Sequence, residues 1–342
     1  MKIGILTGGG DCPGLNPVIR AVVRSAVNNG DEVVGIRYGW KGLIEKDSMP
    51  LDLKSISGIL PKGGTILGTS RTNPYKKEGG VAAVKRNIKA LKLNALIAVG
   101  GEDTLGVATK LHTEGVNVVG VPKTIDNDLS ATDFTFGFDT AVNIVMECID
   151  RLHTTAESHN RILVAEVMGR HAGWIAAYAG IAGGADYILV PEFPIDMDEL
   201  CQSIKKRHER GKNFSIIVVS EGASFKDERL LVQEKQKLDE FGHVRLGGIG
   251  EMLGKYIEER TGFETRVTVL GHIQRGGSPT AFDRVLGTRF GVKAYELVRE
   301  KKFGKMVSLK GSDIIDVPLE KATTKLKTLD PSLYEVAKVF FG

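Results

Sequence analysis

The residues best suited to chemistry lie in a few short turns. Gly8-Gly9-Gly10-Asp11-Cys12-Pro13-Gly14 follows one apolar run and precedes a stretch of helical periodicity. Exposed backbone N–H groups and the positive end of a helix both favour an anion there, phosphate above all. The turn lacks the Gly-Lys-Ser/Thr ending of a Walker A loop and the spacing of a dinucleotide fingerprint, and a plain tight connection would use the same residues. Gly100-Gly101-Glu102-Asp103-Thr104 places two adjacent acids after another apolar run. Acids beside a phosphate loop suit Mg²⁺, which takes carboxylate, water and phosphate oxygens. Acids that favour a helix N-terminus are the alternative. Pro122-Lys123-Thr124-Ile125-Asp126-Asn127-Asp128 sets two carboxylates beside a lysine and a threonine. One acid can hold metal while the other takes a proton, a division that suits phosphoryl transfer, although an Asx-rich turn reads the same way. Arg161, Arg170, Arg266, His272 and Arg275 each lie at an end of an apolar run. Guanidinium forks match phosphate oxygens, so an anionic sugar phosphate would fit such a set; His272 alone reads equally well as a hydrogen-bonded core histidine.

The elements that must position these turns repeat one unit, a short β-branched run followed by a turn. The runs are Lys2–Thr7, Ala95–Val99, Val118–Val121, Ile162–Val167, Ile188–Val190, Phe214–Val219 and Arg266–Leu270. Between them, Asn16–Asn28, Gly80–Leu91, Asp139–Leu152 and Ala281–Leu297 carry apolar residues at helical spacing. Strands alternating with helices predict βαβ units and an α/β fold of two lobes, each a mainly parallel sheet flanked by helices. In such sheets ligands bind beyond the carboxyl ends of the strands, which is where the turns above fall. Residues 223–247 are charged and irregular and read as a surface excursion, and Asp330–Gly342 as a short helix docked by Phe340 and Phe341, or as a frayed end.

Composition sets the outer bounds. A chain of 342 residues suits two lobes better than one small core. A net charge of +4, from 46 basic and 42 acidic residues, is too balanced for a nucleic-acid protein. The 42 glycines recur as pairs and triplets beside acidic and basic residues, which suggests ligand loops. Cys12, Cys148 and Cys201 show no metal spacing and no pairing pattern, which points to a reduced, cytoplasmic setting. No apolar run reaches the ~20 residues of a membrane span, and the opening MKIGILTGGG reads as a first strand and not as a signal peptide.

GGGDCPGLN at Gly8–Asn16, PKTIDND at Pro122–Asp128, MGRHAGW at Met168–Trp174 and GHIQRGG at Gly271–Gly277 together resemble the 6-phosphofructokinases, in matching order from Met1 to at least Arg289. The resemblance implies transfer of a phosphoryl group to the 1-hydroxyl of fructose 6-phosphate. It casts Asp126 as the base, Arg170 as the stabiliser of transferring charge, and Glu102 and Asp128 as Mg²⁺ ligands. Gly10, Arg71 and Thr124 would line the donor site. Met168, Gly169 and Glu221 would hold the sugar, with Arg161, Arg266, His272 and Arg275 on its 6-phosphate. In the family the residues matching Arg161 and Arg266 come from a neighbouring subunit, which implies a homotetramer or homodimer with shared active sites. The lobes would be residues 1–138 plus about 275–300 for the donor and about 139–274 plus 301–325 for the sugar, with a tail at 326–342.

The resemblance also bears on the donor. Asp103 and Lys123 stand where ATP-using bacterial members typically have glycine and where pyrophosphate users have Asp and Lys. An aspartate would occupy the space of the α-phosphate and repel its charge, and a lysine would neutralise the small, dense pyrophosphate. Pyrophosphate is the expected donor, ATP the alternative, and a non-catalytic sugar-phosphate sensor the alternative of another class. Arg20, Arg24, Asp186, Arg210 and Lys212 fall near the family's effector positions, but Leu53 and His153 replace arginines there, so weak or absent control by ADP and phosphoenolpyruvate is expected.

Overall fold

A computed structural model describes residues 1–227 and 248–342. Of the expected excursion at 223–247, residues 228–247 lie outside that description. The chain forms two compact units, one of residues 1–140 and 275–326, the other of 141–274 and 327–342. In chain order, β1 (Lys2–Thr7), α1 (Leu15–Asn28), β2 (Glu32–Ile36), α2 (Trp40–Glu45), β3 (Ser48–Leu51), α3 (Gly80–Ala90), β4 (Ala95–Gly100), α4 (Glu102–Thr113) and β5 (Val118–Pro122) build the first unit. The helix α5 (Phe138–His159) leads from it into β6 (Ile162–Val167), α6 (Trp174–Ala182), β7 (Tyr187–Leu189), α7 (Met197–Glu209), β8 (Ser215–Ser220), α8 (Ile249–Thr261) and β9 (Thr265–Val269). The chain then returns through α9 (Ala281–Arg299), β10 (Lys305–Lys310) and β11 (Asp313–Pro318), and α10 (Pro331–Lys338) closes the second unit.

The first unit holds a seven-stranded sheet in the order β11-β10-β5-β4-β1-β2-β3. Its middle is parallel, and β3 and β11 add antiparallel edges. Every residue of β4 and β5 is buried, as expected of parallel strands covered on both faces. One core gathers Leu6, Ile36, Trp40, Leu96, Leu105 and Leu111. The second unit holds a four-stranded parallel sheet, β7-β8-β6-β9, with Val164, Ile204, Ile217 and Leu253 in its core.

Residues 301–325, expected in the second lobe, belong to the first. Here β10 pairs in parallel with β5 at Lys305 with Val119 and Met306 with Gly120, and β11 folds back on it as a hairpin. That pairing completes a sheet edge, a long-range demand with no local signature. The tail docks through Phe341, whose ring lies 5.3 Å from that of Tyr187 and 6.0 Å from that of Tyr334. Phe340, expected to dock with it, is 66% exposed. Among the described residues no helix is long and apolar enough to cross a membrane.

Candidate active site

In the first unit the Gly8–Asp11 turn leaves the carboxyl end of β1 and is stitched to two neighbours. Gly8 N donates to Val99 O at 2.9 Å, and Gly9 N to Ser70 O at 3.0 Å. Thr69 Oγ1 returns a bond to Gly9 O at 2.6 Å, which brings the loop of exposed Arg71 against this turn. The Arg275 guanidinium lies directly against Gly10, where a Cβ would stand 2.6 Å from Nη1. That guanidinium donates to Asp11 O at 3.2 Å, so Arg275, assigned to the sugar phosphate, lies on the glycine turn of the first unit.

Lys123 follows β5 and is 3% exposed, with its Nζ donating to Gly10 O at 2.5 Å. Burial holds this ammonium below its ordinary range and Arg275 pushes the same way, while Asp11 and Asp126 pull it back. Asp126 N is held by Thr124 Oγ1 at 3.1 Å, and the Thr124 carbonyl accepts from Thr135 Oγ1 at 2.8 Å. Between the two acids, fully buried Asn127 sits in the left-handed region at φ 50° and accepts from Thr135 N at 3.2 Å. The backbone of the Pro122–Asp128 turn is therefore braced from behind.

Burial pushes the Asp128 carboxyl above the ordinary range, and the Glu102 charge adds to it; its own backbone N–H, the Thr124 hydroxyl and Lys123 oppose. Glu102 and Asp103 open α4 and are both exposed. Glu102 and Asp128 are thus near enough to repel, a conflict that a cation relieves. Among the described residues no group of three or more His, Cys, Asp or Glu is arranged to hold a metal alone. Two carboxylates that share a metal with phosphate oxygens suit Mg²⁺, which seldom takes an all-protein cage. Cys12 in the same turn is fully buried, and burial pushes its thiol up to about 12, too high for a thiolate nucleophile.

In the second unit Met168 and Gly169 follow β6, and their backbone is locked by β8. Glu221 N donates to Val167 O at 2.8 Å, Gly222 N to Gly169 O at 3.2 Å and Ser220 Oγ to Gly169 O at 2.6 Å. A Cβ at Gly222 would stand 1.9 Å from the Arg170 carbonyl oxygen, so the turns carrying Glu221 and Arg170 touch backbone to backbone. Arg161 and Arg266 both reach Glu264 Oε1, the former at 2.8 Å. The Arg161 guanidinium holds that carboxyl below its ordinary range. His272 is exposed in the single helical turn Gly271–Arg275 after β9.

Sequence reasoning missed the bracing residues. Ser220 and Thr135 hold site backbone through their hydroxyls, and Glu264 pairs both Arg161 and Arg266. Asp186, read near an effector position, is paired by Arg207 at 2.8 Å, and Arg210 donates to the Gly342 carbonyl. A serine or glutamate at a strand end is too common to be singled out without the neighbouring segment.

A family model described as phosphofructokinase matches residues 2–298. The chain is 60% identical over 344 residues to a pyrophosphate–fructose 6-phosphate 1-phosphotransferase of Streptomyces coelicolor, with 100% of both chains covered. It is 52% identical over 339 residues to an ATP-dependent 6-phosphofructokinase 3 of the same organism, with 99% of each covered. Among solved structures it is similar to Pichia pastoris phosphofructokinase in the T-state (TM-score 0.84, 31% identity), covering 99% of this chain and 36% of that longer one. The chain belongs to the phosphofructokinase family.

Proposed function

We propose that this chain moves a phosphoryl group from pyrophosphate to the 1-hydroxyl of fructose 6-phosphate, giving fructose 1,6-bisphosphate. The observation that carries the donor assignment is the pair of Asp103, in the first turn of α4, and Lys123, buried against the Gly10 carbonyl. The buried ammonium offers a small polyanion a desolvated counter-charge, and the exposed acid repels a longer donor where its α-phosphate would lie. Asp126 accepts the hydroxyl proton, and Gly10, Arg71 and Thr124 line the donor site. Arg170 offsets charge on the transferring group. Met168, Gly169 and Glu221 hold the sugar, and Arg161, Arg266, His272 and Arg275 its 6-phosphate. Glu102 and Asp128 would hold Mg²⁺, whose charge, when bound, offsets that on the donor oxygens.

Arg161 and Arg266 would serve the site of a neighbouring copy, so the active enzyme is a homo-oligomer, a tetramer or a dimer. The broken and formed phosphate bonds are similar in energy, so the reaction runs either way, in glycolysis or gluconeogenesis, in the cytoplasm. ATP is the second reading, favoured by the ATP-dependent relative at 52% identity. The test is fructose 1,6-bisphosphate formation with Mg²⁺ and either pyrophosphate or ATP. Turnover with pyrophosphate and little with ATP is expected; turnover with ATP alone overturns the donor assignment, and none with either overturns the acceptor.

A further inference from the structure

Gln274 lies in the turn after β9, and its side chain is 0% exposed. A neutral amide so deeply buried must spend its polar atoms on fixed partners. Its Oε1 accepts from Met168 N at 3.2 Å, and its Nε2 donates to Gly271 O at 3.1 Å. The partners fix the amide's orientation, because a peptide N–H can only face the oxygen and a peptide carbonyl only the nitrogen. One side chain therefore joins two segments distant in sequence: Met168–Gly169 after β6, and the Gly271–Arg275 turn that carries His272. The main chain reinforces the join one residue earlier, where Leu270 N donates to Glu166 O at 3.0 Å. On its other side the Met168–Gly169 segment is fixed by Ser220 Oγ and Gly222 N on the Gly169 carbonyl.

We propose that Gln274 is a positioning residue for the sugar phosphate, setting the Met168–Gly169 backbone against the His272 turn without itself touching ligand. The inference rests on the reading of fructose 6-phosphate as acceptor. Gln274→Leu removes both bonds and leaves two peptide groups without their partner. The Michaelis constant for fructose 6-phosphate rises about tenfold, as a lost buried hydrogen-bond pair implies, and that for the phosphate donor stays unchanged.

Gln274→Glu separates positioning from packing. Ionised, the glutamate still accepts from Met168 N but turns an oxygen on the Gly271 carbonyl; protonated, it donates as the amide does. Relative to wild type at each pH, this variant therefore regains fructose 6-phosphate affinity as the solution is acidified. Steady-state kinetics of both variants over a pH series, with melting temperatures and amide hydrogen exchange at Met168, make the test. Raised fructose 6-phosphate constants, an unchanged donor constant, acid rescue of the glutamate variant and faster Met168 exchange support the proposal. Folded variants with wild-type fructose 6-phosphate constants, or with both constants shifted alike, or a glutamate variant indifferent to pH, overturn it. If the leucine variant fails to fold, the glutamate pH series decides. If wild type turns over no fructose 6-phosphate, the acceptor reading falls, and exchange at Met168 still reports whether Gln274 holds that backbone.

Discussion

The charged turns of the first unit and the basic strand ends of the second are built on opposite lines. In the first, the ammonium of Lys123 is buried against a carbonyl, and half-buried Asp128 has its carboxyl raised by desolvation with a like charge nearby. In the second, Arg161 and Arg266 lie partly in solvent and share one oxygen of Glu264. Charge removed from water acts strongly and tolerates little displacement, whereas charge left in water is screened and adjusts. On the proposed reading, the first unit serves a fixed electrostatic task, and the second captures an anion that replaces the carboxylate already on Arg161 and Arg266. Substitutions in the first should reach turnover or donor choice, and those in the second should reach affinity for the acceptor.

The sharpest way to break that contrast is Asp126→Asn. A positioned general base contributes about 10²–10⁴-fold. The amide keeps the shape of Asp126 and the Thr124 contact to its backbone N–H. We expect kcat to fall by a factor in that range, with fructose 6-phosphate binding, followed by calorimetry, unchanged. Retained turnover would remove Asp126 as the base and leave the proton to another group.

A smaller effect is expected from the joint change Asp103→Gly with Lys123→Gly. Removing a buried charged partner should lower kcat/KM for pyrophosphate by about 10- to 100-fold. Removing the acid should let ATP turn over measurably. Competition between the two donors measures both at once. An unchanged preference would leave donor choice to residues outside this pair.

How much of this was legible beforehand divides along the same line. Strands β1 and β6 coincide with their expected bounds, because each is a short β-branched run ended by its turn. Gly10, Lys123, Asp126 and Asp128 stood out because glycines and charges cluster after a strand. What stayed hidden depends on chain returning from far away. Arg275 reaches the glycine turn from 264 positions further along the chain than Asp11, and β10 joins β5 from 301–325. Gln274 and Ser220 carry no charge, and only burial shows what they hold.

The contrast can also be sharpened by a pH titration that compares one buried acid with one exposed acid. Asp283, in the first turn of α9, is 0% exposed and takes two bonds on Oδ2, from Thr140 N at 2.8 Å and from Thr140 Oγ1 at 2.5 Å. Burial nevertheless pushes its carboxyl up to about 6, from an ordinary 3.8. A raised carboxyl favours the folded state while protonated, so this contribution is complete below 3.8 and lost as the pH rises through about 6. Asp283→Asn cannot ionise. Its melting temperature relative to wild type should therefore gain a few degrees between the acidic and neutral ends of that window. Glu264 behaves oppositely, because Arg161 lowers its carboxyl. Its contribution is present at neutral pH and fades in acid, and solvent screening keeps it small. Glu264→Gln should accordingly change the melting temperature less than Asp283→Asn does, and in the reverse sense with pH. Equal responses from the two variants would mean that water reaches Asp283 as freely as it reaches Glu264, and the division between desolvated and solvated charge would fail at its foundation.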